Sequence, residues 1–331
     1  MPDGSMVQGP VLRVEDLTVR FTRRDTDVAA VNGVNFSLNA GETLTILGES
    51  GSGKSVSLKA MMGLLPGYAR IDGRIWLNGR DMLTLPEAEL RKVRGGAISM
   101  IFQEPMAALD PVYTIGEQIA ETIVQHEGCS KDTAWKRALG LLEQVKIPSA
   151  ARRLKNYPHE MSGGMRQRAM IALALACSPS VLLADEPTTA LDVTVQIQIL
   201  LLLRQLQQEL GMAIVFVTHD VGAAAEISDR IAVMYAGRFA ETGTTRQIMR
   251  QPLHPYTKGL LASTVHGGMR GTRLETIPGS PPNLAHLPPG CAFAPRCRYA
   301  VDACRQGDIP VVTDETGHMA RCVRVEEAVP A

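Results

Sequence analysis

Gly48-Glu49-Ser50-Gly51-Ser52-Gly53-Lys54-Ser55 is the stretch that decides the fold. It follows Thr43-Leu44-Thr45-Ile46-Leu47, a run short, apolar and β-branched enough for a buried strand. It precedes Val56–Leu65, which reads as a helix. Strand, glycine-rich turn and helix make the setting that a phosphate-binding loop requires. Gly48, Gly51 and Gly53, with Ser50 and Ser52 between them, let backbone N–H groups close on a polyphosphate at a helix N-terminus. Lys54 reaches the β- and γ-phosphates, and Ser55 places its hydroxyl on Mg²⁺.

The rest of the composition narrows the class. A chain of 331 residues suggests two domains, with ample material for a core. Hydrophobic residues make up 45% and charged residues 21%, as in ordinary globular proteins. Lys+Arg and Asp+Glu both number 34, a balance that argues against a nucleic-acid partner held by phosphate neutralisation. Met170–Cys177 is far too short an apolar run to span a bilayer. Met1–Pro10 lacks a basic and an apolar region, so no signal peptide is expected and the default is a cytosolic chain.

Val11–Phe21 and Val28–Leu38 alternate apolar and polar residues, as half-buried antiparallel strands do. Ile71–Leu77 reads as a third strand of this small β-layer. Pro86–Val93 reads as a helix and Ala97–Phe102 as a buried strand. The chain from Tyr113 to Ser178 is mostly helical, with helices near Thr114–His126 and Thr133–Val145 and another at Arg166–Cys177. Then β/α alternation resumes: strand Val181–Ala184, helix Val193–Leu210, strand Ala213–Val217, helix Val221–Ile227, strands Ile231–Tyr235 and Arg238–Glu241. The predicted class is α/β, a parallel-sheet core with a helical insertion. Pro278–Gly290 holds five prolines and reads as a linker into a cysteine-bearing tail.

Three further stretches carry chemistry. Val181–Ala184 ends at Asp185-Glu186, which puts one carboxylate on the Mg²⁺ shell and the next in place to accept a proton from an attacking water. The plainer alternative is a pair of acids capping a strand end. A second strand ends at Thr218-His219-Asp220, where His219 is placed to touch a γ-phosphate or hold the water. Ser162-Gly163-Gly164 opens a helix, a second anion site that one nucleotide does not need. The economical reading is that it closes over a nucleotide held by another subunit. Taken alone, Ser-Gly-Gly is more often a helix cap.

Gly48–Ser55, Gln103, Ser162–Gly164, Asp185-Glu186, Leu191-Asp192 and His219 come in the order and spacing of an ABC-type ATPase domain, and the resemblance covers about Val11 to Met249. It implies an antiparallel β subdomain beside the ATPase core, a helical insertion at about 104–178, and a head-to-tail dimer with two ATPs at its interface. It also implies roles. Phe21 stacks on adenine, with a core aromatic as the alternative. Gln103 senses Mg²⁺ and the membrane partner. Ser162, Gly163 and Gly164 close on the opposite γ-phosphate, and Asp192 belongs to the loop coupling the two sites. The pattern departs from the family at Met161 and Met165, where Leu and Gln are commoner.

Phe102-Gln103-Glu104-Pro105-Met106, His254-Pro255-Tyr256-Thr257, Gly290-Cys291 and Pro295-Arg296-Cys297 resemble the oligopeptide/dipeptide permease branch of importers and its C-terminal extension. That resemblance divides the chain into an ATPase domain at 11–250 and an extension at 251–331. It implies a second, unlike ATPase subunit, two membrane-spanning permease subunits, an extracytoplasmic substrate-binding protein, and a peripheral place on the cytoplasmic face of the inner membrane. Nickel and opine importers share the branch. Soluble ABC ATPases of DNA repair are a competing class, but they carry a long coiled coil, and no sustained heptads separate Lys54 from Ser162. Translation-type ABC proteins carry two ATPase domains in one chain, and one is present here.

Six cysteines in a cytosolic chain do not suggest a disulfide framework. Cys291, Cys297, Cys304 and Cys322 are spaced Cys-x5-Cys-x6-Cys-x17-Cys, which is not a zinc-ribbon pattern but permits a cluster on four thiolates. The resemblance implies a [4Fe-4S] cluster, with zinc or four free thiols as alternatives. His318 is a candidate substitute ligand, with a solvated loop residue as the plainer reading, and Arg296, Arg298, Arg305, Arg321 and Arg324 are placed to offset a cluster's negative charge, with exposed arginines as the plainer reading.

Overall fold

The computed structural model describes residues 9–23, 26–263 and 276–325. They fall into two compact units, one drawn from 13–23, 26–37, 43–76, 217–263 and 276–325, the other from 9–12, 38–42 and 77–216.

The first unit is built on Thr43–Leu47, buried at every position. It runs parallel to Arg230–Tyr235, with Leu44 opposite Arg230 and Leu47 opposite Val233. Burial at every position is what a sheet covered on both faces demands. Arg230–Tyr235 turns through Ala236-Gly237, both at positive φ, into antiparallel Arg238–Thr244, with a bulge between Phe239 and Glu241. Two residues at positive φ match the twist of a tight hairpin. Beyond Arg238–Thr244 lie two strands that sequence reasoning missed. Met319–Arg321 pairs with it, placing Ala320 opposite Glu241, and Val311–Thr313 pairs with Met319–Arg321. Three-residue strands are too short for a period-2 signal to emerge. In a second sheet, Thr26–Leu38, Leu12–Arg23 and Ala69–Leu77 are neighbours in that order, as the alternation predicts.

The cysteine-bearing extension packs on the core of this unit. Leu47, Ile231, Val233, Tyr235, Tyr256 and Phe293 form one buried cluster, and Leu284, Leu287, Cys291 and Cys297 pack against it. The proline-rich segment carries no regular structure, yet its two leucines anchor it. Two expectations are corrected here. His318 is not solvated: it is 3% exposed, with Nε2 2.7 Å from the fully buried carboxylate of Glu241. Arg296, likewise expected at the surface, is 8% exposed.

In the second unit Ile98–Ile101 runs parallel to Val181–Asp185, which is buried throughout. The helical insertion is led by Ile115–Glu127 and Lys131–Gln144. Thr114 and Glu117 form a capping box at the start of the first, and Gly128 ends it at φ 65. Ser130 caps the second. The helix predicted at Arg166–Cys177 begins instead at Gly163, with Ser162 as its cap, and ends at Ala174. In the first unit, the helix after the phosphate loop is Lys54–Met61 rather than Val56–Leu65, because Gly63 at φ 61 and Pro66 stop it early. Among the described residues no helix is long and apolar enough to cross a membrane.

Candidate functional site

The phosphate loop is tightly seated. A Cβ on Gly48 would lie 2.3 Å from Met234 O, and one on Gly53 (φ 106) 2.3 Å from Ala30 O, so neither position admits a side chain. Gly48 N–H donates to Thr218 O, and Gly237 N–H donates to Ser52 O. Lys54 is 4% exposed, and its Nζ donates to Gly48 O at 2.8 Å and Glu49 O at 2.9 Å. The ammonium is thus drawn over the loop at the helix N-terminus. Ser52 Oγ is buried and has no hydrogen-bond partner among the described residues. A cradle without room for Cβ atoms, with a buried lysine and an unused hydroxyl, suits a phosphate chain. Gly51 and Ser50 are exposed at its lip, and Ser55 is half-buried. His219 is exposed at the end of strand Ala213–Thr218. Phe21 is half-buried, its ring 6.1 Å from that of Tyr68, which is itself 50% exposed.

In the other unit Asp185 is 5% exposed at the end of its strand. Glu186 follows at φ 46, a conformation that costs a non-glycine residue on the order of 1 kcal/mol. Its Oε2 accepts from Gln103 Nε2 at 3.4 Å and from Thr189 Oγ1 at 3.0 Å. The structure therefore brings Gln103 and Glu186 together.

Ser162 Oγ accepts from Met165 N–H at 3.4 Å, and Ser162 and Gly163 are exposed at the helix start. Asp192 Oδ1 accepts from Val195 N–H at 3.0 Å, capping helix Val193–Leu210. These two caps are neighbours: a Cβ on Gly164 would lie 2.9 Å from Val195 Cγ1, whereas one on Gly163 would approach only Leu191 Cδ2, at 3.9 Å.

Cys291, Cys297, Cys304 and Cys322 line one cavity, with His254, Phe293, Tyr299 and Arg324. Burial raises the Cys291 thiol to about 11 and also raises Cys297 and Cys322. Backbone N–H groups of Phe293, Tyr299 and Arg324 oppose the rise at Cys291, Cys297 and Cys322 respectively. Among the described residues no three His, Cys, Asp or Glu side chains are grouped as ligands of one metal ion.

Two residues of the extension that sequence reasoning did not assign to the site touch the phosphate loop. The Glu49 N–H donates to Tyr256 Oη at 3.0 Å, and Arg296 pairs with the Glu49 carboxylate. Only the acidic residue inside the loop hinted at such a partner.

The ABC transporter family matches residues 31–189, and the C-terminal region of oligopeptide/dipeptide transporters matches 240–304. The chain is 51% identical to the oligopeptide transport ATP-binding protein OppD of Salmonella typhimurium, over 96% of this chain and 95% of that one. It is 50% identical to the dipeptide transport ATP-binding protein DppD of Bacillus subtilis, over 89% and 88%. Among solved structures, it resembles a dimeric ATP-binding cassette in a post-hydrolysis state with ADP and Pi. That likeness has a TM-score of 0.64 and 30% identity, over 71% of this chain and 99% of that one. ATP and Mg²⁺ suit the loop and carboxylates described above. The chain belongs to the ABC transporter family, as an ATPase of the oligopeptide/dipeptide ATP-binding subunits.

Proposed function

We propose that this ATPase energises uptake of oligopeptides or dipeptides from the cytoplasmic face of the inner membrane. It pairs with a second, unlike ATPase subunit, docks on two membrane-spanning permease subunits, and serves an extracytoplasmic substrate-binding protein. The observation that carries the reading is the C-terminal match over 240–304 together with near full-length identity to OppD. Residues 11–250 form the ATPase domain and 251–331 the extension. Gly48–Ser55 holds the phosphates, with Lys54 on the β- and γ-phosphates. Ser55, Asp185 and Gln103 order Mg²⁺. Glu186 is the general base, His219 contacts the γ-phosphate, and Phe21 stacks on adenine. Ser162–Gly164 and Asp192 complete the partner's ATP site.

The cysteine-lined cavity supports a [4Fe-4S] cluster held by Cys291, Cys297, Cys304 and Cys322. Structural zinc takes four Cys or His ligands on one ion, and among the described residues no three His, Cys, Asp or Glu side chains are so grouped. A cluster spreads its thiolates over several irons, and N–H donors on the sulfurs favour it. It would act as a structural brace for the extension.

Met106, Val112 and Tyr113 are exposed apolar residues on the segment that follows Gln103, which supports docking on a membrane partner there. Cysteines introduced at Ala107 or Ala108 in the assembled transporter are expected to cross-link to a permease subunit. Peptide with its binding protein is expected to stimulate ATP turnover in the reconstituted complex. Cross-links to soluble proteins alone, or stimulation only by nickel or an opine, would replace this reading.

A further inference from the structure

Glu49 places a carboxylate in the sequence of a loop suited to a polyphosphate, where an uncancelled negative charge opposes binding. The fold cancels the charge from the far end of the chain. Arg296 Nη1 donates to Glu49 Oε2 at 2.7 Å and Nη2 donates to Oε1 at 3.0 Å. This two-bond fork fixes direction as well as charge. The Arg296 side chain is 6% exposed and that of Glu49 26%. Two further donors of Arg296 are directed: Nε to Pro278 O at 2.8 Å, and Nη1 also to Tyr235 Oη at 3.3 Å. The guanidinium lies 5.9 Å from the Tyr235 ring and 6.0 Å from that of Phe293.

The backbone of Glu49 is held as well. Its N–H donates to Tyr256 Oη, and its carbonyl accepts from Lys54 Nζ and from Ser52 N–H. Pro281, Pro282 and Leu284 line one crevice with Ser50 and Gly51. The loop residue is thus clamped by its own lysine on one side and by the extension on the other.

We infer that Arg296 is a positioning residue for nucleotide binding, which neutralises Glu49 and fixes the phosphate loop, so that the cysteine-bearing extension is part of the support of the ATP site. Loss of the guanidinium leaves a part-buried carboxylate uncompensated beside the phosphates. Its repulsion grows with phosphate charge, so ATP suffers most, ADP less and AMP least. A brace without electrostatic purpose would weaken all three alike.

The test is calorimetric titration of the full-length chain with ATP, ADP and AMP, wild-type binding serving as the control. Arg296→Gln is expected to weaken ATP about tenfold or more, with a graded effect down to AMP. Adding Glu49→Gln to the same chain is expected to restore ATP to within about threefold of wild type, because the offending charge is gone. Equal losses for the three nucleotides, unchanged ATP affinity, or no rescue in the double variant would overturn the proposal. Should Arg296→Gln fail to fold, Glu49→Gln alone decides. ATP affinity at or above wild type supports charge cancellation, and a loss refutes it.

Discussion

Gln103 Nε2 donates to Glu186 Oε2 at 3.4 Å, joining residues 83 apart in the chain. Thr189 Oγ1 donates to the same oxygen at 3.0 Å. Two donors on one carboxylate oxygen set its direction, and a carboxylate so held suits the general-base role proposed for it. Glu186 sits at φ 46, so the chain turns sharply at the end of strand Val181–Asp185.

Glu186→Gln removes the proposed proton acceptor while keeping its shape. ATP turnover is expected to fall at least ~100-fold with ATP binding retained, the range of a lost general base. Single-turnover assays on the assembled transporter, with filter binding of ATP, read both quantities. Near-normal turnover would remove Glu186 from that role.

The two glycines that open helix Gly163–Ala174 are unequal. Gly164→Ala puts a methyl group 2.9 Å from Val195 Cγ1, and Gly163→Ala meets nothing closer than 3.9 Å. Val195 lies in the first turn of the helix that Asp192 caps, so the clash pushes one cap against the other. Gly164→Ala is expected to lower kcat at least ~10-fold, since misplacement of about 1 Å carries a large rate cost. Gly163→Ala meets no clash within the chain and should lose less activity than Gly164→Ala. Parallel ATPase assays compare them, and the reverse order would refute the packing argument.

His254 is a buried helix cap whose Nδ1 accepts from Tyr256 N–H at 3.0 Å. Burial holds its pKa at about 4, against an ordinary 6.5, with Glu241 pulling weakly the other way. The unfolded chain therefore takes up a proton between pH 6.5 and 4 that the folded chain refuses. The stability is complete above pH 6.5 and is lost as pH falls towards 4, a change on the order of 3 kcal/mol. His254→Asn keeps a cap and removes the titration, so its Tm should change less with pH over that window. Equal slopes for both proteins in thermal melts would exclude His254 as the cause.

For the cysteine cavity, anaerobically purified protein is expected to be brown, with about four irons and four sulfides per chain. Cys297→Ser should bleach it and loosen the extension. One zinc per chain in a colourless preparation would overturn the cluster, and no metal would leave four unligated thiols.

Local pattern determined a large part of this protein. Gly48–Ser55 between an apolar run and a helix, and the apolar strand ending at Asp185-Glu186, are short-range signals, and the structure places both as read. Helix caps at Thr114, Ser130 and Ser162 are equally local, since a side chain closes on an N–H three residues away. Order and spacing of the motifs were enough to indicate the family. What the sequence could not hold is pairing across long separations. Arg296 reaches Glu49 across 247 residues, and His318 reaches Glu241 across 77. Neither residue differs in type from an exposed neighbour, and only packing of the extension against the Tyr235 and Tyr256 cluster makes them buried partners. The crowding of Gly164 against Val195 is likewise a matter of how two helices meet. A charge or a glycine acquires its meaning from what the fold sets beside it, because burial turns a weak solvated contact into a costly one to break.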